Sequence, residues 1–273
     1  MIKIEKFDNA PVSGITYGGH SGSKKGIIIN NEKWFLKYPK STKSMNVTGL
    51  SYTTSPLSEY IGSHIYNILG FDVHETKLGI ANGKIVVACK DFLNKNETIL
   101  DYNSIKNDYD EIVEKQLEEL SLSNNDRSGT DIDEIIIVMK NNGYFEKIPE
   151  LKERFWDMFI VDAFLSNNDR NDNNWGLVLN HDTMKLRLSP VYDNGASFYS
   201  KSSDERIEAI LNDEFKMKQV IYDSCVSSFV KNGKVINPVN CSHHFIEVGA
   251  SRASISPICS KRANPDHPSV FII

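Results

Sequence analysis

Cysteine is scarce in this chain, with four among 273 residues: Cys89, Cys225, Cys241 and Cys259. Their irregular spacing excludes the disulfide framework that staples small secreted domains. A zinc site could be drawn from Cys225, Cys241, His243, His244 and Cys259, but no C-x-x-C pair occurs and the thiols read as ordinary. Long apolar runs are missing too; none approaches the roughly 18 to 20 residues of a membrane span. The opening MIKIEKFDNAPVSG carries acids early and has no apolar core, so it does not read as a secretory signal. A cytoplasmic location is the default, with signal-less export left open. Nor is there an excess of positive charge. The formal net charge of −5 argues against a general nucleic-acid binder, although Lys24, Lys25, Lys37, Lys40 and Lys43 could form a local basic patch.

What is present is an ordinary globular composition, long enough for one two-lobed domain or two small ones. Its most informative stretch is Phe164–Phe198, FLSNNDRNDNNWGLVLNHDTMKLRLSPVYDNGASF. It reads as a polar loop, a strand, a turn at His181-Asp182, a second strand and a compact Asp-Asn-Gly. The greasy helix Leu151–Leu165 precedes it. Carboxylates and amides held on an apolar frame suit Mg2+, which takes oxygen ligands and keeps some of its waters. Asp169 and Asn174 repeat the D-x-x-x-x-N of a kinase catalytic loop, where Asp orients the acceptor hydroxyl and Asn holds a metal. Asp193, beyond the strand pair, stands where a metal-binding Asp is needed. The same SNNDR occurs at 123–127, but Asp131 replaces the Asn and a helix follows, so that copy reads as a linker.

N-D-R-N-D-N-N-W-G followed by L-S-P-V-Y-D-N-G-A-S resembles the HipA-like family of bacterial serine/threonine kinases, and among them the shorter CtkA-like members. The chain departs from that pattern at Ser166, where the family often has Gly, and at Asn171, where it often has His. The resemblance implies ATP and Mg2+ as cofactors and a Ser or Thr hydroxyl of a protein as acceptor, with self-phosphorylation also expected. HipA-like proteins often carry an extra N-terminal domain that meets a DNA-binding antitoxin; this chain starts almost at its glycine loop, which speaks against that partnership.

The remaining machinery is sought upstream. Tyr17 to Gly26 (YGGHSGSKKG) holds glycines and hydroxyls between strands, and glycine lets backbone N–H groups close on an anion. By itself this segment reads as a plain hairpin turn, since no Walker pattern or strict G-x-G-x-x-G occurs. The strand after it and the downstream acid loop favour a phosphate cradle made by Gly18, Gly19, Ser21, Gly22, Ser23 and Lys24. In Lys33–Pro39 the alternation puts Lys33, Phe35 and Lys37 on one face. Lys37 rather than Lys33 is expected to grip the phosphates, because F-L-K-Y-P ends the strand as the family does. Ser55-Pro56 begins a helix with Ser55 as N-cap and an apolar stripe of Leu57, Ile61, Ile65 and Ile68. Glu59 on that helix is expected to pair with Lys37. Ser41–Thr54 reads as a mobile loop. Strands follow on either side of Asn82-Gly83, a strong hairpin signal. Adenine is expected against the backbone near Lys90, Asp91 and Phe92.

From Asn94 onward helical periodicity dominates, including Tyr109–Leu122, Asp204–Phe215 and Met217–Val230. Asp162 on the greasy helix is expected to accept hydrogen bonds from the loop backbone, since a buried carboxylate is costly unless paired. Arg170 is expected to pair with an acidic or phosphorylated group, or with Asp172. The fold class that results is α+β, a two-lobed protein-kinase-like fold. Residues 1–92 form a β-rich N-lobe with one main helix, 93–248 a helical C-lobe, and 249–273 a flexible tail. The chain is read as a monomeric serine/threonine protein kinase. A kinase of small molecules or lipid head groups is the nearest alternative, and a partner-binding toxin-like module without catalysis is another. The presence of both acids and the amide favours an active enzyme.

Overall fold

The computed structural model describes residues 2–15, 17, 24–45, 47, 49–107, 115–116, 118–119, 131–222, 227–231 and 234–237. The N-terminal part is built on a five-stranded sheet with strand order β1-β4-β5-β3-β2. These strands are β1 (Glu5–Lys6), β2 (Lys24–Ile29), β3 (Glu32–Lys37), β4 (Thr76–Ala81) and β5 (Lys84–Lys90). Asn82 and Gly83, at φ of 51° and 68°, make the tight turn that joins β4 to β5. Alternation along β3 sends Trp34 and Leu36 into an outer apolar cluster with Phe7, Ile27, Val86 and Ala88. Phe35 and Lys37 therefore face the opposite way, towards the cleft.

Helix α1 (Ser55–Ile68) crosses the cleft side of this sheet. Its orientation corrects the sequence expectation. The buried face is Pro56, Ser58, Glu59, Gly62, Ser63 and Tyr66, whereas Leu57, Ile61 and Ile68 are exposed. Of the expected stripe only Ile65 packs against the core. The physical reason is that its inward face, besides packing on β4 and β5, meets a polar segment around Asn194 through Glu59, Gly62 and Ser63. Gly62 permits that contact, since a Cβ there would lie 3.0 Å from the Cβ of Asn194. The cap also differs, because Thr54 precedes the helix and makes no side-chain cap bond. Ser41–Thr54, expected to be mobile, is closed by a bridge between Ser41 and Tyr52 and by Thr53 N–H donating to the Lys40 carbonyl.

The C-terminal part contains α2 (Tyr102–Lys106), α3 (Ile132–Asn141), α4 (Gly143–Lys147), α5 (Glu150–Leu165), α6 (Asp204–Leu211) and α7 (Glu214–Tyr222). Its core gathers Phe155, Phe159 and Leu165 of α5 with Tyr102, Trp175 and Phe229. A three-stranded sheet, β6-β7-β8, lies beside it and comprises Glu97–Asp101, Gly176–Asn180 and Lys185–Leu188. The sequence reading does not include strand β6, because the residues of its hydrogen-bonding partner β7 lie 75 to 83 positions downstream and no local pattern announces it. Two helix boundaries also move. Asp213 accepts from the N–H groups of Phe215 and Lys216 and starts α7 early. Helix α7 is described as far as Tyr222, and Val230, expected to be helical, opens strand β9 (Val230–Lys231), paired with β10 (Lys234–Val235). The expected helix Tyr109–Leu122, the linker at 123–127, the zinc candidates Cys225, Cys241, His243, His244 and Cys259, and the tail 249–273 lie largely or wholly outside the described residues.

The two parts are stitched behind the cleft. Val73 pairs parallel with Val191, His74 N–H donates to the Val191 carbonyl at 3.0 Å, and Val191 N–H donates to the Asp72 carbonyl at 2.8 Å. Asp193 follows two residues after this rung.

Candidate active site

The upper wall of the cleft is built on the last residue of β3. Lys37 Nζ lies 2.7 Å from Glu59 Oε2 on α1 and 2.8 Å from Asp193 Oδ1. Burial alone would push the Lys37 ammonium down, but Asp193 and then Glu59 outweigh it and hold the lysine well above its usual range. Burial likewise pushes Glu59 up, while Lys37 and His74 hold it below the usual carboxylate range. The other oxygen of Glu59 accepts from His74 Nε2 at 2.8 Å and from the Asn194 N–H at 3.0 Å. The buried Glu59 is thus held from three directions, which keeps Lys37 extended into the cleft.

The lower wall is the loop after α5. Ser166 ends that helix at φ 53°, in the left-handed region where glycine carries no Cβ penalty. Beyond it Asp169 is exposed to the cleft. Asn171 Nδ2 donates to Asp169 Oδ1 at 3.2 Å, and Asn167 Oδ1 accepts from the Asp169 N–H at 3.2 Å. Asn174 donates through Nδ2 to the Asp169 carbonyl at 2.7 Å, which leaves its Oδ1 as the available oxygen. Asp193 approaches from the other side at φ 61°. A cavity of about 680 Å³ lies between the walls, lined by Lys24, Phe35, Lys37, Asp169, Asn174 and Asp193, with Phe92 and Tyr192 as apolar surfaces.

Beneath the cleft sits a second ionic cluster. Arg170, fully buried, donates through Nε to Asp162 Oδ2 at 2.7 Å and through Nη2 to Asp162 Oδ1 at 3.1 Å. Asp162 Oδ1 also accepts from Tyr66 and Asn167, each at 2.9 Å. The partners of Asp162 are therefore side chains and not the loop backbone that the sequence suggested. Arg170 pairs with Asp162 rather than with Asp172, which meets Lys106 at 2.9 Å. Its remaining donors reach the carbonyls of Asn174 and Tyr192 and, at 2.7 Å, Asn194 Oδ1.

Asn194 ties the two clusters together. Its N–H holds Glu59, its Nδ2 donates to Ser63 Oγ at 3.0 Å and its Oδ1 receives Arg170. Sequence reasoning missed this role and that of His74. Asn194 at least stands inside the Asp-Asn-Gly that marks the site; His74 carries no local signal. Of the expected phosphate cradle, Gly18, Gly19, Ser21, Gly22 and Ser23 lie outside the described residues. Lys24 belongs to β2 rather than to a loop, with its ammonium 5.7 Å from the centre of the Phe35 ring. Near the expected adenine position only Phe92 lines the cavity. The Lys90 ammonium pairs with Glu32 at 2.6 Å, and Asp91 accepts from Tyr17 at 2.9 Å. Their backbone N–H groups already donate to the carbonyls of Glu75 and Lys33.

A strand lysine paired to a helix glutamate, over a loop with Asp and Asn and a second Asp, defines a two-lobed protein-kinase-like fold. Comparison with known proteins makes the assignment more specific. The chain is 33% identical over 207 residues to the serine/threonine-protein kinase CtkA of Helicobacter pylori strain J99, a match that spans 76% of this chain and 59% of that protein. The crystal structure of the H. pylori proinflammatory kinase CtkA superimposes with a TM-score of 0.77 at 27% identity, over 95% of this chain and 84% of that one. By sequence and by fold, therefore, the chain is similar to CtkA, although it spans only 59% of that protein's length. The HipA of Shewanella oneidensis MR-1, solved with HipB and operator DNA, gives a TM-score of 0.47 at 12% identity, over 92% of this chain and 56% of that one. No family model matches the chain.

Proposed function

We propose that the chain is an ATP-dependent serine/threonine protein kinase. The observation that carries this reading is the placement of Lys37 between Glu59 and Asp193, across one cavity from Asp169 and Asn174. The donor set offered to a metal, the Asp193 carboxylate and the Asn174 amide oxygen, is all oxygen and suits Mg2+. When bound with ATP, Mg2+ neutralises charge that builds on the phosphates. The residues of the chain do the rest. Lys37, held by Glu59, grips the phosphates. Phe92 and Tyr192 pack on the base, beside backbone near residues 90–92. Asp169, aligned by Asn171, accepts a hydrogen bond from the Ser or Thr hydroxyl and orients it for in-line attack on the γ-phosphorus. Such catalysis is mostly positioning and charge stabilisation.

The test is transfer of labelled phosphate from ATP in the presence of Mg2+. Label should enter generic protein substrates, and the chain's own Ser or Thr residues by mass spectrometry, and should vanish with Asp169→Asn. Transfer confined to a panel of metabolites or lipids would replace the protein-kinase reading with the small-molecule one. No transfer to either panel would leave a binding module.

A further inference from the structure

Phosphate transfer uses Glu59 only to hold Lys37, yet two other metal-ligating groups converge on it. A carboxylate oxygen of Glu59, a ring nitrogen of His74 and the sulfur of Cys89 all lie within 4.8 Å of one another, and all three residues are buried. They come from α1, from the segment before β4 and from β5. A second observation points to the same spot. The Thr76 hydroxyl is buried with no hydrogen-bond partner among the described residues. Thr76 is the direct cross-strand partner of Cys89, so its hydroxyl stands beside the thiol. A second cavity of about 200 Å³, lined by Ser63, His74 and Thr76 among others, reaches the imidazole, which also borders the larger cleft.

We infer that Glu59, His74 and Cys89 form a site for one thiophilic divalent cation of the Zn2+ class. One carboxylate, one imidazole and one thiolate are a zinc ligand set, and Mg2+ is disfavoured by sulfur and nitrogen. The fourth position is filled by water, held by Thr76 Oγ1. Binding forms a sulfur–metal bond and sends the Cys89 thiol proton to solvent. The His74 ring proton moves from Nε2, where it now serves Glu59, to Nδ1, which frees Nε2 as the ligand. Glu59 ligates through Oε1, the oxygen that now accepts from His74, while Oε2 is the one that holds Lys37. The ion draws on the Glu59 carboxylate and repels the Lys37 and Lys24 ammonium groups, so the bound cation weakens the Lys37–Glu59 pair. Zinc is therefore an inhibitor of phosphate transfer. That consequence rests on the kinase reading, whereas the site itself does not.

The experiment titrates the metal-free full chain with Co2+. One equivalent should produce the near-ultraviolet band of a thiolate–cobalt bond, and Zn2+ should bleach it. A triple variant, Cys225→Ser, Cys241→Ser and Cys259→Ser, should keep the band, and Cys89→Ala should lose it. His74→Gln should weaken cobalt binding about tenfold or more, which keeps the test valid if Cys89→Ala folds poorly. In the transfer assay, Cys89→Ala should be about tenfold or more less sensitive to Zn2+ than the triple variant. A wild-type chain without the band, a band that survives Cys89→Ala, or one lost in the triple variant would overturn the site. A normal band in a chain with no transfer activity would sink only the kinase reading.

Discussion

Two ionic clusters lie a few residues apart, made of much the same chemistry and used in opposite ways. In the lower one the Arg170 and Asp162 side chains are 0% and 4% exposed, and both oxygens of the carboxylate are taken by donors of the chain itself. In the upper one the Lys37 and Asp193 side chains are 8% and 20% exposed and border an open cavity. The closed cluster has nothing left to offer a ligand, so its energy goes into shape. The open one keeps an unspent side, and Lys37 meets two acids where one would hold it. That surplus is what a working site needs. Asn194, bound to both, transmits the shape of the lower cluster to the chemistry of the upper.

The comparison breaks most violently at Arg170. Arg170→Ala leaves the Asp162 carboxylate buried without its cation, a loss of about 3–5 kcal/mol, read as a lower midpoint in urea unfolding. Wild-type stability in that variant would mean the lower cluster is not a scaffold. Asp193→Asn should do the reverse. Turnover should fall roughly 10²-fold or more, while the thermal midpoint hardly moves, because Lys37 retains Glu59. Asn194→Ala tests the link and should show both effects in smaller measure. It removes the side-chain bonds to Ser63 and to Arg170, the latter leaving a buried donor unpaired at about 1–3 kcal/mol, and it slows transfer by loosening the segment whose backbone N–H still holds Glu59.

The gentlest test uses another carboxylate of α5. Among the described residues Asp157 has none of the donors that hold Asp162, and burial, opposed by Arg154, pushes its pKa up to about 6. Its folded form then binds a proton more tightly than its unfolded form, so its contribution falls as pH rises from about 4 through about 6. Asp157→Asn should therefore stabilise the chain at pH 7 but not at pH 4. The gain should be at most about 1 kcal/mol, because the group is half in solvent. Denaturant curves at the two pH values measure it.

Much of this was legible in the sequence. The alternation in β3, the Asn82-Gly83 turn and the Asp169 loop each depend on neighbours within a few residues, and local patterns report such neighbours. Helix α1 was misread because its inward face is polar, so counting apolar residues turned it over. Strand β6 and the parts played by His74 and Asn194 depend on partners far along the chain. Nothing in E-T-I-L-D says that residues 176–180 will lie beside it, and nothing near His74 names Glu59.

The parallel rung between Val73 and Val191 has a mechanical corollary. A clamp fastened at the rear opens only at the front, so any breathing of the lobes turns about an axis through that rung. The tips of β2 and β3 then swing farthest, which widens the cleft on their side. His74, whose own N–H forms part of the pivot, hardly travels. A probe placed there reports the chemistry of its surroundings and stays blind to the swing of the jaw.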